Sequence, residues 1–145
     1  MRRTSLTLLV TLTACASAPN FHQFERQAGI PAPFATVWDA LIDTFGANSW
    51  SIDTLERDSG LITTDWMLVD PSHMDCGSTG LNTDRNHQVR FNVIVREALG
   101  GSTLTVNTTW QAFRSGAFTI DGWQDCLSRG SIERMVHDLV REAVS

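Results

Sequence analysis

The chain contains no lysine anywhere in its 145 residues, and its 11 basic residues, all arginine, face 16 acids for a formal net charge of −5. No basic stripe exists to release counterions from a phosphate backbone, which excludes nucleic acid as an expected partner. The chain also lacks an apolar run of the roughly 18 residues that would span a bilayer as a helix. It has no internal repeat, no low-complexity tract, no CxxC, no HExxH, no P-loop, no dinucleotide-binding glycine pattern and no G-x-S-x-G elbow, so neither nucleophilic catalysis nor a resident cofactor is expected. The four histidines, His22, His73, His87 and His137, are scattered without ligand spacing and are expected at the surface. Asp70, Asp75 and Asp84 share one polar stretch, but without the fixed spacing and closing glutamate of a calcium loop, and no metal is expected.

What is present begins at the N-terminus. Met1-Arg2-Arg3 precedes a short apolar stretch with Leu6, Leu8, Leu9, Val10 and Leu12, as in a signal peptide. Its end, Leu12-Thr13-Ala14-Cys15, resembles the bacterial lipobox, in which the cysteine sulfur takes a diacylglyceryl group. Residues 1–14 are therefore expected to be removed and Cys15 to carry lipid, with two or three acyl chains giving firm anchorage to the membrane. Ala16, where an aspartate would signal retention at the inner membrane in enteric bacteria, points to the periplasmic face of the outer membrane. Loss of Arg2 and Arg3 leaves 9 arginines against 16 acids, about −7. The expected organisation is a lipidated cysteine and tether over 15–23, with a mean reach of roughly 16 Å, and one domain over 24–145. In an oxidising compartment the two remaining cysteines, Cys76 and Cys126, are expected to form a disulfide.

Hydrophobic periodicity supplies the elements. A weak strand is expected within Phe24 to Ile30, then a helix on Phe34, Val37, Trp38, Leu41, Ile42 and Phe45. Alternation over Trp50 to Leu55 and Ile62 to Leu68, around Asp58-Ser59-Gly60, predicts a hairpin. Val69 to Asn86 is expected to be a long loop. The clearest hairpin alternates Val89, Phe91, Val93 and Val95 with polar residues, turns at Leu99-Gly100-Gly101 and continues through Leu104, Val106, Thr108, Trp110 and Ala112. A second loop is expected over Arg114 to Gln124, then a helix whose stripe is Ile132, Met135, Val136, Leu139, Val140 and Ala143, capped by Ser128 or Ser131. The order β-α-β-β-β-β-α predicts an α+β domain with an antiparallel sheet of four to five strands and two helices on one face.

The opposite sheet face supplies the candidate partner-binding residues: Arg90, Asn92, Arg96, Thr105 and Asn107, with Thr103, Thr109 and Gln111 around them. Of the five tryptophans, Trp38, Trp50, Trp66 and Trp110 fall in core phase, and only Trp123, beside Gly122 and Gln124, is a candidate for an exposed contact, with packing over the disulfide as the alternative.

This element order, together with Val37-Trp38-Asp39-Ala40-Leu41, Asp58-Ser59-Gly60-Leu61-Ile62 and Trp66, resembles the helix-grip domains of the BamC (NlpB) lipoprotein family of the outer-membrane β-barrel assembly machinery. The resemblance implies a non-catalytic binding or envelope-assembly module with envelope proteins as partners. The alternative it implies is a carrier of a small apolar ligand in a cavity lined by residues such as Trp38, Phe91 and Trp110.

Overall fold

A computed structural model describes residues 16–116 and 120–145, so Cys15 and the signal peptide lie outside the described residues. The described residues form an α+β fold in the order β1 (Gln27–Ile30), α1 (Phe34–Ala47), β2 (Ile52–Glu56), β3 (Leu61–Thr64), β4 (Met67–Leu68), a 3-10 turn (Pro71–His73), β5 (Met74–Asp75), β6 (Thr83–Ala98), β7 (Gly101–Ser115), β8 (Gly122–Ser128) and α2 (Ser131–Val144). All strand pairs are antiparallel, and the sheet runs β2-β3-β6-β7-β8-β5, with β1 also paired to β7 and β4 to β6.

The sheet is built on one long hairpin. In β6 and β7 the alternation places Val89, Phe91, Val93, Val95, Leu104, Val106, Trp110 and Ala112 on one face, where they form a single core with Val37, Trp38, Leu41 and Phe45 of α1 and Ile132, Val136 and Val140 of α2. Burying such side chains supplies most of the driving force for the fold, about 1.5–3 kcal/mol for each large one. Both helices thus lie on the same face.

Eight strands replace the expected four to five. The additional ones are short or begin inside stretches that composition marks as loops. β4 and β5 are two-residue pairings, and β8 occupies the end of the expected second loop, where Cys126 faces inward and Trp110 pairs with it. β6 and β7 likewise extend to Thr83 and Ser115, beyond their apolar alternation. β4 is the end of the strand expected over Ile62 to Leu68, split from β3 by an irregularity, whereas β5 and β8 are held by backbone pairing with a neighbour rather than by their own apolar pattern, which is why periodicity misses them.

Trp66 departs from its expected core phase. Ile62 pairs with Val93 and Met67 with Val89, so five steps along β3 and β4 match four along β6. The extra residue reverses the alternation between Thr64 and Met67, and Trp66 turns outward with 37% of its surface exposed.

The expected disulfide is present. Cys76 is bonded to Cys126 with Cα atoms 4.4 Å apart, tying the residue after β5 to β8. The segment ahead of the domain also makes defined contacts. Ser17 exchanges hydrogen bonds with Ser78, its amide donating to Ser78 Oγ at 2.7 Å and its carbonyl accepting from the Ser78 amide at 3.0 Å. The Asn20 amide donates to Asp75 at 3.4 Å, and His22 Nε2 lies 3.2 Å from the same carboxylate. Residues 17–22 therefore lack the free reach estimated for an unstructured tether.

Candidate functional site

The face of the sheet opposite the helices carries a groove of about 400 Å³ lined by Asp53, Thr54, Thr63, Arg90, Asn92 and Thr109 among others. Register accounts for the cluster. Thr63 pairs with Asn92 and Asn92 with Asn107, while Arg90 pairs with Thr109, so these side chains rise from neighbouring strands on one face. An irregularity in β2 between Ile52 and Thr54 sets Asp53 beside Thr63. The Asp53 carboxylate accepts hydrogen bonds from the hydroxyls of Thr54 and Thr63, both at 3.2 Å.

Arg90 holds a defined position. Its guanidinium sits 4.8 Å above the Trp66 ring centroid, a cation–π arrangement that restrains a long side chain without consuming its N–H donors. Among the described residues it forms no ion pair. The groove thus offers a planar cation with five N–H donors, an amide, threonine hydroxyls and one carboxylate, a set suited to a polar or carboxylate-bearing partner segment.

The sequence-predicted residues divide into three groups. Arg90, Asn92 and, one strand over, Asn107 share the groove face, and Thr105 lies on the same face one row along, paired with Ile94. Arg96 is committed elsewhere, donating from Nη1 to the Ser59 carbonyl and, at 3.2 Å, to that of Val95. This fastens the β2–β3 turn to β6. Trp123 belongs to β8, where it packs edge-on against Phe113 at 5.5 Å between ring centroids. That pair lies four residues along β7 from Thr109, roughly 13 Å away at strand rise, and forms a separate aromatic patch.

A second polar constellation lies in the core, and periodicity gave no warning of it. Glu133 is 1% exposed. Its Oε1 accepts from Thr108 Oγ1 at 2.5 Å and its Oε2 from Ser128 Oγ at 2.9 Å, while Trp110 Nε1 donates to Thr108 Oγ1 and the Gly130 amide to Ser128 Oγ. Ser128 therefore acts at the start of α2 by bonding Gly130 and Glu133, and the N-cap itself is Gly130 in the left-handed region. One turn further, His137 is 3% exposed rather than at the surface, and its Nε2 has no hydrogen-bond partner among the described residues. Burial pushes its pKa below the ordinary value, assisted by the Arg141 charge and opposed by the backbone carbonyls of Arg26 and Leu104 and by Asp138. The buried face of α2 is Ile132, Glu133, Val136, His137 and Val140, rotated from the expected stripe so that Met135 and Ala143 are exposed and Leu139 is half-buried.

No three of the described His, Cys, Asp and Glu side chains converge as metal ligands, and no described helix is long and apolar enough to cross a membrane. The Trp38, Phe91 and Trp110 side chains are each 2% exposed within the packed core. No protein-family model matches the chain, and a search of curated proteins finds no match.

Proposed function

We propose that this chain is a non-catalytic periplasmic lipoprotein, anchored through lipid on Cys15 at the outer membrane, that serves as a binding or envelope-assembly module through its open sheet face. Within the α+β class its two helices on one face of an antiparallel sheet are read as a helix-grip arrangement, as in the BamC resemblance. The observation that carries the proposal is the groove in which Arg90 is held over Trp66 beside Asn92, Thr63 and Asp53. A restrained cation that forms no ion pair among the described residues, set among amide, hydroxyl and carboxylate groups, costs little to order on binding, and that favours recognition of a polar segment of another envelope protein. The packing of Trp38, Phe91 and Trp110 within the core favours the module over the carrier.

A photo-crosslinking residue placed at Asn92 in the membrane-bound lipoprotein tests this. The expected result is a discrete adduct with an envelope protein that is absent when the probe sits at Glu142 on the helical side. Arg90→Ala should weaken the adduct about 10- to 100-fold if the guanidinium makes one charge-assisted bond. Adducts with lipid alone, or equal adducts from both positions, would refute the proposal.

A further inference from the structure

Resting on the lipid anchor proposed for Cys15, we infer that the domain docks end-on against the lipid surface, through the end of the sheet where β6 begins and β7 finishes. Ala16, the residue directly after Cys15, lies within 4 Å of the position a Cβ would take at Gly80. Ser17 is bonded to Ser78 by its amide and its carbonyl, and a Cβ at Gly77 would meet the Ser17 carbonyl oxygen at 2.1 Å. The chain then continues along β5, where Asn20 and His22 reach the Asp75 carboxylate. Asp75 is held in place by the Gly77 amide, whose hydrogen bond keeps its pKa below the usual carboxylate range. The disulfide fixes this β5 region to β8.

The distance between a lipidated Cys15 and the folded body is therefore about one residue, at most ~3.6 Å, rather than nine. A bilayer holding that sulfur must meet the turn at 79–82, and the apolar side chain that turn presents is Leu81, 69% exposed. An exposed leucine at the anchoring end contributes lipid contact where elsewhere it would contribute only hydrophobic surface to water. The far end of the same hairpin is Leu99, fully exposed in the β6–β7 turn. β6 has 16 residues, so the two ends are separated by about 50 Å of strand. The sheet thereby stands away from the membrane, with the groove at Arg90 partway along it and open from the side.

The intact lipoprotein in phosphatidylethanolamine/phosphatidylglycerol vesicles, irradiated with a diazirine probe that resides in the lipid, tests this without any substitution. Peptide mass spectrometry should find the Leu81 peptide labelled several-fold above the Leu99 peptide. A flexible spacer of Gly and Ser inserted between Cys15 and Ala16 should abolish that difference while the protein stays vesicle-bound. Acylated, vesicle-bound protein with equal labelling at both ends, or with Leu99 labelled more, overturns the docking geometry and leaves the anchor standing. A Cys15 peptide without acyl mass, and protein that fails to float with vesicles, overturns both.

Discussion

Replacing Cys76 and Cys126 together by alanine should cost the domain a large part of its stability. The bridge spans 50 residues, and that span contains both long strands, β6 and β7, on which the other strands are assembled. For a loop of this size the lost constraint on the unfolded chain is about 4 kcal/mol, against a total of about 5–15 kcal/mol for a domain. The folded-to-unfolded ratio should therefore fall about 1,000-fold. For about 120 ordered residues the unfolding entropy is near 0.25 kcal/mol/K, so the midpoint should drop by about 15 °C. Cys126 is also buried, and its truncation adds a small packing loss in the same direction. Thermal and urea unfolding of oxidised wild type and the double variant measure both quantities. Because β5 pairs with β8 through only two residues, amide exchange should further show β5 and residues 17–22 opening before the long hairpin. A midpoint within about 3 °C of wild type would refute the assignment of this stability to loop closure.

Glu133→Ala should destabilise by about 2–4 kcal/mol in urea titrations, since it leaves the Thr108 and Ser128 hydroxyls without their acceptor and opens a cavity; a loss below ~0.5 kcal/mol would mean the network contributes nothing. His137 has a folded pKa below its ordinary 6.5, so the unfolded chain binds more protons and the histidine's contribution is fully present above pH 6.5 and lost as pH falls toward the folded value. Wild type should accordingly lose stability faster than His137→Gln between pH 7.5 and 5.5, and parallel pH profiles would contradict this. Gly60 has φ +59° and an added Cβ would stand 2.2 Å from the Val95 carbonyl oxygen, so Gly60→Ala should cost about 1–3 kcal/mol, with Gly100→Ala, which meets no neighbouring atom within 4 Å, costing less in the same assay.

How much of this was legible in the sequence follows from what each element depends on. α1 and the central hairpin carry their own apolar period, and both are where that period predicts. The Cys76–Cys126 pair was legible from the expected export of the chain. β5 and β8 were not, because their ladder bonds depend on neighbours brought close by the disulfide and by β7. Trp66 misled for a related reason: one inserted residue reverses a period-two pattern, and the pattern alone carries no sign of the insertion. Glu133 and His137 sit one turn apart on α2, beside a stripe that is apolar enough to suggest a helix with one buried edge. Their burial becomes visible only when the donors from β7 and β8, Thr108 and Ser128, are set against the helix.

The groove depends on the same inserted residue. Had β3 continued regularly into β4, Trp66 would lie inward in phase with Ile62 and Thr64, and Arg90 would have no ring beneath it. The irregularity in β2 acts in the same way by bringing Asp53 beside Thr63. Neither departure improves the core: the first turns Trp66 out of it to 37% exposure and the second interrupts a ladder. Both gather polar groups onto one stretch of the outer face. A sheet whose outer surface served only for solubility would gain nothing from giving up two regular registers at adjoining positions. The clustering of both irregularities around Arg90 and Asn92 is why the proposed binding role is placed on this part of the sheet rather than at Arg96, which braces a turn, or Trp123, which packs on Phe113.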